Sequence, residues 1–217
     1  IKESKHDLKI FVTNANQGIS LISNSLDVDI NDFNQIRNTI IKHSISFVLI
    51  GPEIPLINGI VDFIKTDPML ANVSVVGPSK FGSKLEGSKE FAKKFMYKYN
   101  IPTASYMSFS KNTLNEGIKF IKANSPPYVL KADGPAAGKG VIIVETADEA
   151  ITNLKEMLIK SKFGESSNKV VIEEFLTGIE MSCFVLFDGL NYKILPYAKD
   201  YKRIGEGDNG LNTGGMG

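Results

Sequence analysis

Residues 128–144, with the sequence YVLKADGPAAGKGVIIV, decide how the rest of the chain is interpreted. Two apolar runs, residues 128–130 and 141–144, are too short for helices and rich in strand-forming residues. Glycine and alanine dominate the segment between Lys131 and the second run. The pattern therefore predicts a hairpin made of a strand that ends in a lysine, a loop of small residues, and a second strand.

The predicted loop suits the binding of phosphate. Gly134, Gly138 and Gly140 leave backbone N–H groups uncovered, and a bare backbone can lie directly on phosphate oxygens. Lys131 and Lys139 would bring positive charge to the same place. On local grounds a flexible surface hairpin is the alternative. The spacing fits neither GxxxxGK[ST] nor GxGxxG, so a nucleotide would be held in a different way.

The composition is that of an ordinary globular protein, with 42% hydrophobic residues, 23% charged residues and a net charge of +1 over 217 residues. This balance gives no argument for a nucleic-acid or membrane partner. No apolar run approaches the roughly 18 residues of a membrane span. The single cysteine, Cys183, excludes an internal disulfide, suits a cytoplasmic location, and lies in an apolar run that predicts burial. Only two histidines are available for metal or triad chemistry.

The first part of the chain alternates predicted strands with predicted helices. Strands are expected at residues 8–13, 46–50 and 73–76, and helices at residues 32–43 and 56–65. This order is typical of a small doubly wound domain with a parallel sheet. Gly51, Pro52 and Glu53 directly follow the second strand, at the end where such sheets place their ligands.

The second part of the chain carries the charged residues of interest. Residues 85–99 predict a basic amphipathic helix that includes Lys89 and Lys93, for which a solvated charged face is the simple explanation. Further strands are expected at residues 106–109, 181–187 and 192–195, and further helices at residues 114–122 and 147–159. A strand at residues 170–172 runs into Glu173, where backbone groups would suit the edge of an adenine ring. Alternatively, Glu173 and Glu174 are simply acidic residues that end the strand.

Several short motifs follow one another in the order found in one enzyme family. They are GPE at 51–53 with Pro55 and Leu56, LEGSK at 85–89 with Phe91 and Lys93, KADG at 131–134, AAGKGV at 136–141, VIEEFL at 171–176, Asp200 with Lys202 and Arg203, and NTGGMG at 212–217. In this order the chain resembles the phosphoribosylamine–glycine ligase family, also called glycinamide ribonucleotide synthetases, of the ATP-grasp superfamily. The resemblance runs over most of the chain from about residue 45.

The resemblance implies an α/β fold in which the doubly wound domain is followed by an ATP-grasp domain with an α+β lid. We expect residues 1–83 to form the N-terminal substrate-side domain and residues 84–126 the first part of the ATP-grasp central domain. Residues 127–195 would form the lid, and residues 196–217 would re-enter the central domain as a polar, glycine-rich loop. We also expect the chain to be an excerpt of a longer protein. The turn at residues 13–20 and Pro135 depart from the family pattern.

The same resemblance implies the reaction. Glycine's carboxylate would attack the γ-phosphate of ATP to give glycyl phosphate, and the amine of 5-phosphoribosylamine would then displace phosphate. Mg²⁺ or Mn²⁺ would bridge the phosphates, with protein ligands outside these residues. A cytoplasmic monomer with small-molecule substrates and no nucleic-acid or membrane partner is expected. The alternatives are another ATP-grasp carboxylate–amine ligase of purine metabolism, or a catalytically incomplete ATP-binding module.

The family's site residues can be carried onto this sequence by motif. ATP would be bound by Lys89, Lys93, Lys131, Gly134, Ala137, Gly138, Lys139, Gly140, Glu173, Glu174, Phe175, Leu176 and Glu180. The catalytic cations would be Lys131, Lys202 and Arg203. The substrates would meet Gly51, Pro52, Glu53, Asp200, Asn212, Thr213, Gly214 and Gly215. Residues 134–140 would close as a lid, Glu173 would bind adenine, and Glu180 would bind ribose.

Overall fold

The computed structural model of the chain describes residues 4–136, 138–206 and 209–216, and it gives the backbone alone for residues 202, 203 and 209–216. The chain forms two compact units, Ile1–Glu174 and Phe175–Gly217. The division into four segments expected from the sequence stays a prediction.

Short parallel strands and helices alternate at the start of the first unit. The elements are β1 (Phe11–Thr13), α1 (Gln17–Ser20), β2 (Asn24–Leu26), α2 (Phe33–Lys42), β3 (Phe47–Leu49), α3 (Glu53–Asn58), α4 (Ile60–Thr66) and β4 (Ser74–Val76). Strand β1 pairs in parallel with β2, and β3 pairs in parallel with β4. This alternation confirms the predicted α/β class, and α2 begins after Asp32, whose carboxylate caps the helix as expected.

Two expectations for this region are corrected. The helix predicted at residues 56–65 is two helices, because Gly59 adopts a left-handed φ of 99° between α3 and α4. The continuous apolar run at residues 46–50, a pattern typical of a strand buried on both faces, is also less buried than that pattern predicts. Phe47 and Leu49 are each more than half exposed, and only Val48 between them packs against the core formed by α2 and α4. Strand β2 was not predicted.

The rest of the first unit is built around one four-stranded antiparallel sheet. Its elements are α5 (Lys84–Gly87), α6 (Lys89–Lys98), β5 (Tyr106–Ser110), α7 (Leu114–Ala123), β6 (Tyr128–Ala132), β7 (Val141–Val144), α8 (Ala147–Lys160) and β8 (Lys169–Glu173). The strand order is β5-β8-β6-β7. Strands β6 and β7 pair with Tyr128 opposite Val144, which confirms the predicted hairpin.

The basic helix expected at residues 85–99 is interrupted. Ser88 has extended backbone between α5 and α6, and its hydroxyl accepts a hydrogen bond from the N–H of Phe91. A serine in this geometry caps the following helix, so α6 has its own fixed start. Lys93, expected on a solvated face, is buried.

One face of the four-stranded sheet is apolar and is covered by α7 and α8. Leu130 and Val170 from the sheet and Leu154 and Met157 from α8 are fully buried in this core. Gly117 lets α7 approach closely, since a Cβ there would lie 2.8 Å from the Leu154 side chain. Strand residues alternate between the two faces, so the side chains between these core positions point to the opposite face of the sheet.

The second unit is all β and is described by itself. Its strands are β9 (Met181–Ser182), β10 (Val185–Phe187), β11 (Tyr192–Ile194), β12 (Ala198–Gly205) and β13 (Asn209–Met216). Strands β10 and β11 form a hairpin, and β12 lies between β9 and β13. Within the described ranges of both units, no helix has the length and apolar character needed to cross a membrane.

Three expectations for the second unit are corrected. The strand predicted at residues 181–187 is split into β9 and β10, because β9 pairs with β12 and β10 pairs with β11. Cys183, between them, is exposed rather than buried. The polar, glycine-rich tail forms strand β13 rather than a loop. Its backbone pairs with β12, with Met216 opposite Asp200 at one end and Asn209 opposite Gly205 at the other.

We predict that Leu154→Ala lowers the free energy of unfolding by roughly 2–5 kcal/mol, because it leaves a cavity in a fully buried core. Ile159→Ala on the same helix is the matched control. Its side chain is 47% exposed, so its effect should stay within about 0.5 kcal/mol. Urea denaturation followed by circular dichroism measures both, and equal effects would contradict the assignment of this core.

Candidate functional site

Three charged side chains meet on the face of the sheet opposite the apolar core. The Glu173 carboxylate accepts hydrogen bonds from Lys131 Nζ at 2.9 Å and lies 3.2 Å from Lys93 Nζ. The side chains of Glu173 and Lys93 are only 6% and 7% exposed, whereas that of Lys131 is 28% exposed. The cluster therefore has a net charge of +1, and Lys131 is its accessible member.

The sheet register explains why Lys131 and Glu173 meet. Strands β6 and β8 are neighbours, with Val129 opposite Glu173 and Lys131 opposite Val171. The lysine and the glutamate are therefore diagonal neighbours on one face, within reach of each other's long side chains. Leu130 on β6 and Ile172 on β8 alternate with these charged residues and face the core.

Lys93 reaches the same carboxylate from helix α6. Its ammonium group donates to Thr103 Oγ1 at 2.8 Å and to the carbonyl of Ala104 at 3.1 Å, and it also pairs with Glu173. It lies 5.7 Å from the centre of the Tyr106 ring. Two of its donors are thus hydrogen-bonded, and the adjacent Glu173 carboxylate compensates its charge. Lys93 thus supplies a fixed, buried positive charge rather than a free donor.

Lys131 is differently placed. Within the ranges that the structure describes, Glu173 is its single hydrogen-bond acceptor. Two of its three ammonium hydrogens therefore remain to bind an anion, and the side chain is accessible to one. The orientation of the ammonium group is already set by Glu173, so little conformational entropy would be lost on binding.

Lys89 completes the set of lysines. Its ammonium group lies 3.4 Å from the carbonyl oxygen of Asp133 and 3.3 Å from that of Gly134, which are long contacts. Burial lowers the pKa of Lys89 below its ordinary value, Asp133 and Glu86 oppose this shift, and the charge of Lys131 adds to it. A bound anion would stabilise the charged form of Lys89 against both effects, so Lys89 and Lys131 together favour an anionic ligand.

The loop of the β6–β7 hairpin lies beside these lysines and is anchored at its base. Ala132 N–H donates to Gly140 O at 2.8 Å, and Ser166 Oγ donates to Pro135 O at 2.6 Å. A Cβ on Gly134 would lie 2.7 Å from Ser166 Oγ, so this position requires glycine.

The tip of the same loop is open. Gly138 has a positive φ of 75° with nothing within 4 Å of a Cβ placed there, and Lys139 is exposed. Ala137 lies outside the described residues. The loop thus combines a fixed base with an accessible backbone, as a phosphate-binding loop requires.

The remaining residues predicted for ATP are spread along the chain after Glu173. The Glu174 carboxylate accepts from the N–H and the hydroxyl of Ser105, each at 3.1 Å, and ties the end of β8 to the segment before β5. Phe175, Leu176 and Glu180 belong to the second unit. The role of Glu173 in binding adenine stays a prediction; what the structure adds is its contact with two lysines.

The predicted substrate residues fall in two places. Gly51, Pro52 and Glu53 follow β3 and lead into α3, at the expected end of the strand. Asp200 lies on β12, where its N–H donates to Glu180 O at 3.1 Å. The side chains of Lys202, Arg203, Asn212 and Thr213 lie outside the described residues, and Gly214 and Gly215 lie on β13.

Sequence reasoning missed the residues that hold the lysines in place. Thr103 and Ala104 follow Pro102 in an irregular segment that carries no motif, so nothing in the sequence marked them as partners of Lys93. Glu90 was missed as well, although its carboxylate accepts from Lys94 at 2.9 Å and from Lys169 on β8. The spacing of Glu90 and Lys94, one helical turn apart, was the one available signal.

Across the part of the chain that the structure describes, no group of three or more His, Cys, Asp or Glu side chains is placed to hold a metal ion.

Comparison with known families decides what this arrangement belongs to. The model of the phosphoribosylglycinamide synthetase N domain matches residues 1–86, and that of the ATP-grasp (A) domain of the same synthetase matches residues 87–217. The chain belongs to the phosphoribosylglycinamide synthetase family. The resemblance inferred from the ordered motifs is thereby confirmed.

Individual proteins of the synthetase family are similar to this chain in sequence. The chain is 42% identical to the phosphoribosylamine–glycine ligase of Streptococcus suis, covering 99% of this chain and 50% of that protein. It is also 42% identical to the bifunctional purine biosynthetic protein ADE5,7 of Saccharomyces cerevisiae, covering 96% of this chain and 26% of that protein. The chain thus spans about half the length, or less, of these relatives.

Solved structures of other proteins show which fold the chain shares. The phosphoribosylamine–glycine ligase of Thermotoga maritima has a TM-score of 0.73 at 33% identity, over 96% of this chain and 48% of that one. An ADP complex of N5-carboxyaminoimidazole ribonucleotide synthetase has a TM-score of 0.61 at 18% identity, over 93% of this chain and 49% of that one. The second likeness shows the fold alone, and together they confirm the predicted ATP-grasp architecture.

We predict that Glu173→Gln destabilises the first unit by about 3–5 kcal/mol, since it leaves the buried Lys93 charge without its counter-charge. Glu165→Gln is the control, because Glu165 is an exposed glutamate just before β8. Urea denaturation at neutral pH measures both variants. A Glu173→Gln protein as stable as the control would show that the carboxylate does not neutralise Lys93.

We predict a pH-dependent role for Glu90. Burial raises its pKa, but hydrogen bonds from Lys169 and Lys94 outweigh that effect and leave the pKa below the ordinary 4.5. Because the folded-state pKa is depressed, the stabilisation is present above pH 4.5 and is lost as the pH falls through the folded-state value.

Glu90→Gln should therefore be less stable than the native chain by about 1 kcal/mol at pH 7, and this difference should disappear in acid. Denaturant unfolding at pH 7 and below pH 4.5 measures it. Glu116→Gln, an exposed glutamate in the first turn of α7, is the control. A difference that stays constant over the whole pH range would rule out the ion pairs as its cause.

Proposed function

We propose that the full-length protein joins glycine to 5-phosphoribosylamine at the expense of ATP, through a glycyl phosphate intermediate. Membership of the phosphoribosylglycinamide synthetase family supports this reaction. The observation that carries the proposal is the accessible Lys131, held by Glu173 on the strand that leads into a glycine-rich loop. This arrangement provides a preorganised cation beside a backbone able to lie on phosphates.

Neither step of the proposed reaction needs a nucleophile from the protein. Glycine's carboxylate oxygen attacks the γ-phosphorus and ADP leaves; the amine then attacks the acyl carbon and phosphate leaves. Phosphoryl transfer is catalysed mainly by positioning and by charge placed where negative charge accumulates. Fixed lysines supply both, which agrees with a chain that contains one cysteine and two histidines.

The lysines have different parts in this mechanism. Lys131 and Lys89 contact phosphate oxygens directly, because both are partly accessible and neither has a full set of short hydrogen bonds. Lys93, which is buried and donates hydrogen bonds to Thr103 and Ala104, contributes positive charge through space and holds Glu173 in position. Residues 134–140 then lie over the phosphates and exclude water from the acyl phosphate, whose hydrolysis would waste ATP.

Other parts of the proposal rest on the family motifs. Glu173, with the backbone of Glu174, Phe175 and Leu176, would bind adenine, and Glu180 would bind ribose. Lys202 and Arg203, oriented by Asp200, would steady the transferred phosphoryl group. The substrates would be met by Gly51, Pro52, Glu53, Asn212, Thr213, Gly214 and Gly215.

Mg²⁺ or Mn²⁺ would enter with the nucleotide and neutralise phosphate charge. The residues that the structure describes do not offer a cluster of protein ligands for such an ion. We further propose that the enzyme is a cytoplasmic monomer that acts on small molecules and binds neither nucleic acid nor membranes.

The full-length protein, supplied with ATP, glycine and 5-phosphoribosylamine, should release ADP only when both other substrates are present. A coupled assay for ADP measures this. Dependence on another amino acid or on bicarbonate would instead identify a different ATP-grasp ligase and overturn the proposed substrate.

A second candidate applies to the 217-residue chain itself, which spans about half the length of its relatives. On this view the chain binds ATP without turnover. Calorimetric titration with ATP, followed by the ADP assay, distinguishes the two: binding with no ADP release supports a binding module, and release supports an active enzyme.

We predict that Lys131→Ala in the full-length enzyme lowers turnover by about a hundredfold or more, because one preorganised charge-stabilising group is removed. Lys155→Ala, an exposed lysine on α8, is the control and should retain native turnover. Steady-state rates of ADP release measure both. Native turnover in Lys131→Ala would remove this lysine from the mechanism.

A further inference from the structure

We propose that Asp133 is a positioning residue that fixes the start of helix α6, and with it Lys89 and Lys93, relative to Lys131. The inference rests on the proposed function, because it assigns Asp133 a role in arranging the ATP-binding lysines. It goes beyond the site residues derived from the family motifs, among which Asp133 has no role of its own.

Asp133 contacts three consecutive residues at the start of α6. One carboxylate oxygen accepts from the N–H of Glu90 at 2.7 Å, and both oxygens lie 3.0 Å from the hydroxyl of Ser88. The carbonyl oxygen of Asp133 accepts from the N–H of Lys89 at 3.1 Å. Its own N–H donates to the carbonyl of Lys169 at the start of β8, also at 3.1 Å.

These contacts satisfy groups that a helix leaves unpaired. The first N–H groups of a helix have no partner within it, and they form the positive end of the helix dipole. In α6, Ser88 caps the N–H of Phe91, while the N–H groups of Lys89 and Glu90 are satisfied by Asp133 from another element. Asp133, which directly follows β6, therefore completes the cap of α6 with its carboxylate and its backbone carbonyl.

The same contacts set the distances between the lysines. Lys131 lies on β6 and Asp133 directly follows that strand, so the positions of the two side chains are linked through the strand end. Lys89 and Lys93 are one helical turn apart on α6 and lie on the same side of the helix. The Lys89 ammonium group also lies over the carbonyls of Asp133 and Gly134. A shift of the helix start would therefore change the position of Lys89 relative to Lys131.

Loss of this link should misplace the helix rather than unfold the unit. Three other contacts hold helix α6: the backbone hydrogen bond from Lys89 N–H to Asp133 O, the ion pair between Glu90 and Lys169, and that between the buried Lys93 and Glu173. These contacts would remain when the Asp133 carboxylate is removed. A displacement of about 1 Å between catalytic groups is enough to lower a rate by about a hundredfold.

The test uses the full-length enzyme with Asp133→Ala and Asp133→Asn. In the Ala variant, which loses both side-chain contacts, we expect the KM for ATP to rise and kcat to fall, each by about tenfold or more, while the KM for glycine stays within about twofold. The Asn variant retains one oxygen for the N–H of Glu90 and should be intermediate. Ser88→Ala removes the hydroxyl that contacts the Asp133 carboxylate, and it should likewise raise the KM for ATP and lower kcat.

Asp148→Ala is the matched control, since Asp148 is an exposed aspartate in the first turn of α8 and should leave the kinetics unchanged. A purely structural role for Asp133 would lower the active fraction, and hence kcat, without a change in the KM for ATP. That result, or native kinetics in Asp133→Ala, would overturn the proposal.

Calorimetric titration of the 217-residue chain with ATP separates this proposal from the proposed function. If the native full-length protein fails to use glycine and 5-phosphoribosylamine but the chain still binds ATP, the proposed substrates are wrong. Weaker ATP binding by Asp133→Ala than by Asp148→Ala would then still support the positioning role, and equal binding would overturn it.

Discussion

The carboxylate of Glu173 lies buried between two ammonium groups, and the arrangement of the candidate site depends on this contact. A buried charge is tolerated only when it is paired and hydrogen-bonded. Lys93 meets that condition through Glu173 and two further acceptors, whereas Lys131 meets it through Glu173 and solvent exposure. One carboxylate therefore fixes a fully buried cation and an accessible one, and only the accessible cation remains available to a ligand.

The two faces of the four-stranded sheet have different roles: one forms the apolar core, and the other carries the charged residues of the candidate site. Leu130 and Ile172 point into the apolar core under α7 and α8, and their strand neighbours Lys131 and Glu173 point to the other face, toward α6. Because side chains alternate along a strand, the core that holds β6 and β8 in register also holds the charged pair in register. The position of α6 on this face, fixed in part by Asp133, then decides where the other lysines lie.

Much of this fold follows from local sequence patterns, and the hairpin of β6 and β7, helix α2 and helix α8 were predicted close to their observed bounds. The breaks at Gly59 and Ser88 were not predicted, because apolar periodicity continues across both while the backbone does not. Strand β13 was missed because its pairing with β12 depends on backbone groups. Lys93 and Glu173 were each selected as site residues, yet their contact spans 80 positions and no local pattern encodes it.

The most direct test of the account is a crystal structure of the 217-residue chain with a non-hydrolysable ATP analogue. Lys131 Nζ and Lys89 Nζ should lie within hydrogen-bond distance of phosphate oxygens, with the backbone of residues 134–140 over them. Lys93 should keep its contacts with Thr103, Ala104 and Glu173. An analogue bound away from the β6–β7 loop, or one whose phosphates contact Lys93 while Lys131 stays paired only with Glu173, would contradict it.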